Sequence, residues 1–425
     1  MRTILWFLLL FAIAVFTALF AVHNDGMVTV FWPPYRIDLS LNFVLLALIA
    51  LFFTFHLALR ALAMLLSFPA QARRWRIQYQ ERAIQLGLLD TLSHLAAGRF
   101  IRSRKAAEGV LAQERSLARG ERVLSYSGHL RSMAHLLAAE SAHALRDQAA
   151  RDEHVRLALE QTTSRQESEV RDGLQLRAAR WALDDQDVKA AQQWLDELSQ
   201  GAARRTLSLR LRFKVARMSR HTLAALEIAR LLAKHRAFSP VAALSLVRGL
   251  ALELIQAAYD ASQLEKAWGQ LDAAERQMPE VAIHAAERML ARGGDVALAQ
   301  QWLLPVWDQM VRPGTSLAQD QRIKLALVLE RGFALADGKP DVAWLTRIEF
   351  AQMGNPRDAL LQYLAGVTCM HLSLWGKAQQ MLKQALSQLQ DERLKRRAWQ
   401  GLALLAEQRE DAAAATQAWR NAAKA

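Results

Sequence analysis

The sequence predicts an all-α protein in two parts: a two-helix transmembrane hairpin at the N-terminus and a superhelix of helical repeats beyond it. Three observations predict this. Two long uncharged stretches open the chain, one segment motif recurs at a multiple of a helix-pair length, and the remainder places apolar residues at three- and four-residue spacing with few breakers. The 425 residues carry 54 Lys+Arg against 41 Asp+Glu and a single cysteine, Cys369. That length exceeds one ordinary core and suits several domains or an extended array. A lone cysteine excludes disulfide scaffolds and zinc ribbons. A hydrophobic fraction of 52% excludes a disordered chain, and five Tyr with few β-branched runs argue against an all-β one.

The first element is a span over residues 4–22, where 19 consecutive residues carry no charge. At the α-helical rise this is roughly 28 Å, the thickness of a hydrocarbon core. A cleaved signal peptide would have a shorter apolar region, about 7–15 residues, ending in small residues at a cleavage site. None precedes His23, so the segment is expected to be a retained anchor. A second span covers residues 41–59, broken only by Asn42, Thr54 and His56. The connection, 23–40, holds the turn elements Asn24-Asp25-Gly26 and Pro33-Pro34, which reads as the bend of a helical hairpin. It contains Asp25, Arg36 and Asp38, whereas the flanks hold Arg2 on one side and Arg60, Arg73, Arg74 and Arg76 on the other. The excess of basic residues outside the connection places both termini and everything C-terminal in the cytoplasm. His56 reads as an interfacial side chain near the cytoplasmic end of its span rather than a proton relay or haem ligand.

The hairpin, residues 1–66, is followed by a basic juxtamembrane helical region, 67–110. Between Arg60 and Glu108 nine Arg/Lys face three acids, a local net charge of +6. Arg60, Arg73, Arg74, Trp75 and Arg76 are the candidate membrane-surface residues, because basic side chains next to a span are drawn to anionic headgroups. Trp75 and Tyr79 among the arginines could also stack on bases. No nucleic-acid motif accompanies them, and topology explains the charge, so the expected partner is anionic lipid and not nucleic acid.

Residues 111–425 read as helical repeats. Asp187-Val188-x-x-Ala191-Gln192-Gln193-Trp194-Leu195 recurs 108 residues later as Asp295-Val296-x-x-Ala299-Gln300-Gln301-Trp302-Leu303, and its core returns as Ala378-Gln379-Gln380-Met381-Leu382. That spacing is three times 36 residues, near the tetratricopeptide period of ~34. Such a repeat wants a small residue early in its second helix, then a large apolar and another small one. Ala267/Leu271/Ala274, Ala378/Leu382/Ala385 and Ala415/Trp419/Ala422 have this order, with Gly366 preceding the second set. Stacked helix pairs form a concave face that holds polypeptides. The Trp residues at 181, 194, 268, 302, 307, 344, 375, 399 and 419 read mostly as inter-helix packing.

Chemistry is hard to find in the sequence. No two of the eleven histidines stand three or four apart, the spacing a helical metal site needs. Gly-x-Ser-x-Gly and Gly-x-x-x-x-Gly-Lys are absent, as is a Gly-x-Gly-x-x-Gly turn. His129, His135 and His143 form a loose cluster whose spacings do not keep to one helix face. Acid pairs such as Asp184-Asp185 and Asp391-Glu392 suit helix ends. The expected protein is not an enzyme, with no catalytic or metal-binding residue and no cofactor.

Phe68-Pro69-x-x-x-Arg73-Arg74 after the second span, then Gly87, Leu95-Ala96-Ala97-Gly98-Arg99 and Lys105-Ala106-Ala107-Glu108, resemble the HemY family of bacterial inner-membrane proteins, whose order of parts matches over essentially the whole chain. The flavin-dependent protoporphyrinogen oxidase sharing that name is a different protein, which this chain does not resemble. The resemblance implies a multi-pass inner-membrane protein associated with a late step of haem (protoheme) biosynthesis, with late haem-pathway enzymes as partners. It leaves open a haem or porphyrin carrier and an assembly factor for an unrelated envelope complex. Cys369-Met370-His371 places three iron-ligating residue types together, but no haem motif surrounds them.

Overall fold

The computed structural model describes residues 2–22, 25–119, 126–162, 168–312, 317–336 and 342–425, without the side chains of 2–5, 20–21 and 65–74. The chain divides into two compact units, Met1–Val170 and Arg171–Ala425. The first holds α1 (Arg2–Val22), β1 (Met27–Trp32), β2 (Tyr35–Ser40), α2 (Leu41–Ala96), α3 (Phe100–Arg119), α4 (Ser127–Ala144) and α5 (Gln148–Glu160). The second continues with α6 (Ser168–Asp184), α7 (Val188–Asp196), α8 (Gln200–Ala203), α9 (Thr206–Met218), α10 (Thr222–Lys234), α11 (Pro240–Ala257), α12 (Ala261–Gly269) and α13 (Ala273–Arg276). It ends with α14 (Pro279–Ala291), α15 (Val296–Val311), α16 (Gln319–Leu335), α17 (Val342–Gly354), α18 (Ala359–His371), α19 (Trp375–Leu386), α20 (Glu392–Gln408) and α21 (Ala412–Lys424).

Two features depart from the expected helical hairpin. The connection between the apolar helices is an antiparallel β-hairpin, in register from Met27 opposite Ser40 to Trp32 opposite Tyr35. Its sequence, Met-Val-Thr-Val-Phe-Trp and Tyr-Arg-Ile-Asp-Leu-Ser, is rich in β-branched and aromatic residues, and Pro33-Pro34 makes the two-residue turn. Cross-strand pairing outweighed the loop reading that the prolines suggested; the Arg36 guanidinium lies 5.5 Å over the Phe31 ring on its partner strand. Second, α2 does not stop at residue 59. It starts at Ser40, whose hydroxyl accepts from the Phe43 N–H, and runs unbroken to Ala96, joining the second apolar stretch to the basic region.

Among the described residues, Leu41–Met64 and Pro240–Ala257 are long and apolar enough to cross a membrane, and Trp6–Leu19 is a shorter apolar segment of α1. They differ in burial. Leu41–Met64 buries none of its side chains within the protein, whereas α11 contributes Val247, Leu250, Ala251 and Ile255 to the core of the second unit. α11 is therefore a core helix of the array.

Helix pairs hand over through one recurrent turn. Arg146, Gln186, Arg220, Ser373 and Glu410 adopt φ of 57–63°, and Gly98 and Gly293 adopt 69° and 67°. After each, the next N–H returns to a carbonyl five residues earlier, as in Asp147 to Ala142 (2.9 Å), Asp187 to Ala182 (2.8 Å) and Asp411 to Ala406 (3.0 Å). The left-handed residue thus closes the first helix in a Schellman turn. At 147, 187 and 411 the following Asp caps the second helix, accepting from Ala150, Ala190 and Ala414 at 3.0–3.1 Å. Asp295 caps α15 the same way through Ala297 and Leu298. The repeated Asp of the sequence motif is this cap, and its Ala and Leu are the buried face: Ala191, Leu195, Ala299, Leu303, Ala378 and Leu382 are all essentially inaccessible.

Close approach needs small residues. A Cβ on Gly366 would lie 2.7 Å from Leu382 Cγ and 3.2 Å from its backbone N, so α18 and α19 meet there only because Gly366 has no side chain. Trp268 and Trp302 stack at 4.6 Å, and Trp307 meets Trp344 edge-on at 5.6 Å. Trp181, Trp194 and Trp399 also pack inward, while Trp375 and Trp419 are exposed. One register expectation fails: α12 ends at Gly269, and Ala274 is exposed in the short α13. The buried residue there is Glu275, gripped by the Arg230 guanidinium at 2.8 and 2.6 Å.

Candidate partner-binding surfaces

In the first unit, α2, α3 and α4 pack through small and hydroxylated residues. A Cβ on Gly87 would sit 2.8 Å from Val110 Cγ2; Ser103 donates to the Thr91 carbonyl at 3.0 Å, and Ser141 to Ser103 at 3.0 Å. The charged pair of this core is Glu114, buried, accepting from Arg131 Nε and Nη2 at 2.6 and 2.8 Å and from the Ser127 hydroxyl at 2.7 Å. Burial alone would raise its pKa; the hydrogen bonds from Arg131 and Ser127 outweigh that and hold the carboxyl below its usual value.

Two histidines that the sequence did not bring together meet in this unit. His135 on α4 and His154 on α5 face each other with Nδ1 atoms 3.0 Å apart. Burial, then the neighbouring His154 and Arg115, push His135 down to about 4, and burial also lowers His154. The two ring nitrogens lie within hydrogen-bond reach, the donor being set by the tautomer. His143 stands apart from it, its Nδ1 3.3 Å from Arg151 Nη1. The six-residue spacing of His129 and His135 gave no hint of the pair, because the second ring comes from the next helix.

The candidate membrane-surface residues all lie along α2. Arg60 is exposed within the apolar Leu41–Met64 segment, and Trp75 and Arg76 are exposed beyond it. The side chains of Arg73 and Arg74 lie outside the described residues.

In the second unit, Cys369, Met370 and His371 diverge. Cys369 is fully buried and burial pushes its thiol up; Met370 packs toward Gly401; His371 is half-buried with its pKa lowered by burial. A protonated, enclosed thiol is a packing group rather than an iron ligand. Among the described residues no three His, Cys, Asp or Glu side chains gather in a metal-ligating group.

The same unit opens a groove of about 1660 Å³ between α15, α17, α18 and the start of α20. Phe350 and Met353 line it as exposed apolar side chains, uncommon on a soluble surface unless something covers them. Three acids line it, Asp308, Asp358 and Asp391, and two of them are engaged locally. Asp358 caps α18 through the Leu360 N–H at 3.0 Å and pairs with Arg322; Asp391 caps α20 through Leu394 and pairs with Arg393, both at 3.1 Å. Arg357 has no acidic partner among the described residues, and Arg347 lies 5.4 Å over the Trp344 ring. The groove thus offers apolar contacts edged by a small excess of positive charge, four Arg against three Asp.

The fragment from the β-hairpin to the end of α4 is also where a family signature falls. Residues 26–146 match the family model described as HemY protein N-terminus. This stretch is similar to a HemY N-terminal domain. It contains all of the residues on which the resemblance was drawn, Gly87 at the α2–α3 contact and Gly98 in the first left-handed turn among them. No curated protein matches the chain. Among solved structures it is similar to the P58(IPK) TPR domain, at 14% identity over 78% of this chain and 99% of that one, with a TM-score of 0.23. It is also similar to Naa15/Naa10 bound to HypK-THB, at 12% identity over 76% of this chain and 56% of that one, with a TM-score of 0.24. The helical-repeat architecture rests on the chain's own turns and packing rather than on these likenesses.

Proposed function

We propose that this protein is a membrane-anchored tetratricopeptide-type scaffold, associated through its HemY N-terminal domain with a late step of haem biosynthesis. One observation carries the reading: an apolar segment with no buried side chain, Leu41–Met64, is continuous in a single helix with the packed HemY domain. Exposing that much apolar surface to water is unfavourable by about 25 cal/mol per Å², and lipid removes the cost. The excess of arginines beyond the segment supports a cytoplasmic repeat array at the bacterial inner membrane, with Arg60 at the headgroups and Arg73, Arg74, Trp75 and Arg76 facing the anionic surface from just beyond them. On this reading the hairpin is the anchor, residues 67–110 the basic neck and 111–425 the repeats.

The Phe350/Met353 groove is the repeat surface that receives a polypeptide, and its arginine edge selects an acidic amphipathic segment. Late haem-pathway enzymes are the partners the family resemblance points to, held so that poorly soluble porphyrins pass between them. The protein itself needs no reaction for this role. Affinity capture from detergent-solubilised membranes, with a chain truncated after residue 170 as control, tests it. Enrichment of haem-pathway enzymes by the full chain alone is the expected result; their absence from both captures refutes the scaffold role in that pathway.

A further inference from the structure

Past the membrane-length segment, α2 has two opposite faces. Ile84 and Thr91 are buried and Gly87 abuts Val110, so this side packs on α3. On the other side Trp75, Tyr79, Leu86 and Leu89 are each more than half exposed. Their spacing, with Arg82 between, is four, three, four and three residues, the a/d alternation of a helix seam, and at about 100° per residue all five fall within a stripe roughly 80° wide.

Lipid does not account for the stripe. α2 is continuous from Leu41 to Ala96, so Leu86 and Leu89 stand roughly 33 and 38 Å along the helix beyond Met64. A tilt of about 40°, the upper end for membrane helices, still leaves Leu86 roughly 25 Å out, past a headgroup layer of about 5–8 Å. Trp75 and Tyr79 begin at the membrane side and the leucines carry the seam outward. Arg82, in its centre, has no ion pair among the described residues and no acid three or four positions away on its own helix. A second copy aligned in parallel would set Arg82 against Arg82, an unfavourable like-charge contact.

We infer that this face of α2 is the docking seam for a helix of a different membrane-anchored protein. That helix leaves the same membrane alongside α2, carries apolar residues at a/d spacing, and presents a carboxylate to Arg82. The inference rests on the anchored reading above and adds a second contact, separate from the groove: the groove recruits a peptide, the seam a membrane neighbour. Confinement to one membrane supplies the parallel alignment and raises the effective concentration of such a partner.

A photo-crosslinking amino acid at Leu86 or Leu89 of the full-length, membrane-embedded chain tests the seam, with Gln113, exposed on α3, as control position. The expected result is a heterologous adduct from 86 and 89 and none from 113, with the crosslinked peptide lying in a helical segment near an apolar span of the partner and containing Asp or Glu. Arg82→Glu should cut the adduct roughly tenfold or more, Arg82→Lys should leave most of it, and reversing the partner's carboxylate to Lys should restore the Arg82→Glu adduct. Adducts only with a second copy of this chain, only with lipid, or at none of the positions overturn the seam. Membrane fractionation of the same samples reads the anchor independently, so loss of the seam and loss of the anchored reading are distinguishable.

Discussion

Gly366 and Leu382 give the sharpest test of how the repeats are packed. Leu382 is fully buried and fills the space over two glycines, Gly366 and Gly401; a Cβ on Gly401 would lie 3.1 Å from its Cδ1. Glycines offer no side chain to relax into a void, so Leu382→Ala belongs in the upper part of the range for such changes, about 4 kcal/mol. Gly366→Ala gains about 1 kcal/mol of helix propensity but drives a methyl to 2.7 and 2.8 Å from Leu382 Cγ and Cδ2, an overpacking cost near 3 kcal/mol, for a net loss of about 2 kcal/mol. In the double variant the methyl enters the vacated space, leaving only the 3.2 Å contact with the Leu382 backbone N. The pair should then cost about 3–4 kcal/mol instead of the additive 6, a coupling of about 2–3 kcal/mol. Amide exchange of the α18 and α19 peptides, measured by mass spectrometry on the full chain in nanodiscs, reads these local free energies without requiring two-state unfolding. Additivity within about 0.5 kcal/mol would refute the claim that side-chain contact at this point places the glycine.

Three further outcomes are expected. An unfolded histidine takes up its proton near 6.5 and folded His135 only near about 4, so the unfolded state binds more protons between these values and stability falls as the pH drops through that window; His135 contributes a loss of about 3 kcal/mol, flat below pH 4 and checked as exchange of α4 and α5 against pH, with His135→Gln flattening the profile. Arg131→Met should cost about 3–5 kcal/mol by stranding the buried Glu114 carboxylate, and adding Glu114→Met should recover most of it, read by the same exchange measurement on α3 and α4. Arg347→Glu with Arg357→Glu should weaken binding of an acidic amphipathic peptide to the full chain roughly tenfold or more in a fluorescence titration at low salt, while neutral peptides change little.

Much of the fold was legible because it is written in local patterns. The two apolar stretches, the repeated Asp-Val-x-x-Ala-Gln-Gln-Trp-Leu segment and the Ala/Leu spacing all depend on residues a few positions apart, and the structure turns each into a helix, an N-cap or a buried stripe. The β-hairpin was missed because Pro33-Pro34 reads as a loop while the β-branched and aromatic residues on either side of it read as strands. Ala274 was misplaced because Gly269 and Asp272 break the helix before the pattern ends. The functional surfaces were less legible for a different reason. His135 meets His154, Phe350 shares a groove with α15 and α18, and Glu275 meets Arg230 only across helices, where sequence spacing carries no signal. The α2 stripe is the exception: Trp75, Tyr79, Leu86 and Leu89 alternate by four and three within one helix, yet the basic residues around them drew the reading toward lipid alone.

The most direct measurement for a membrane-anchored role in late haem synthesis is the level of porphyrin intermediates in cells lacking this protein, complemented with the full chain or with residues 67–425 alone. Intermediates should accumulate on deletion, return to normal with the full chain, and stay raised with the soluble form even at equal abundance. Normal intermediates in the deletion strain, or complete rescue by residues 67–425, would contradict it.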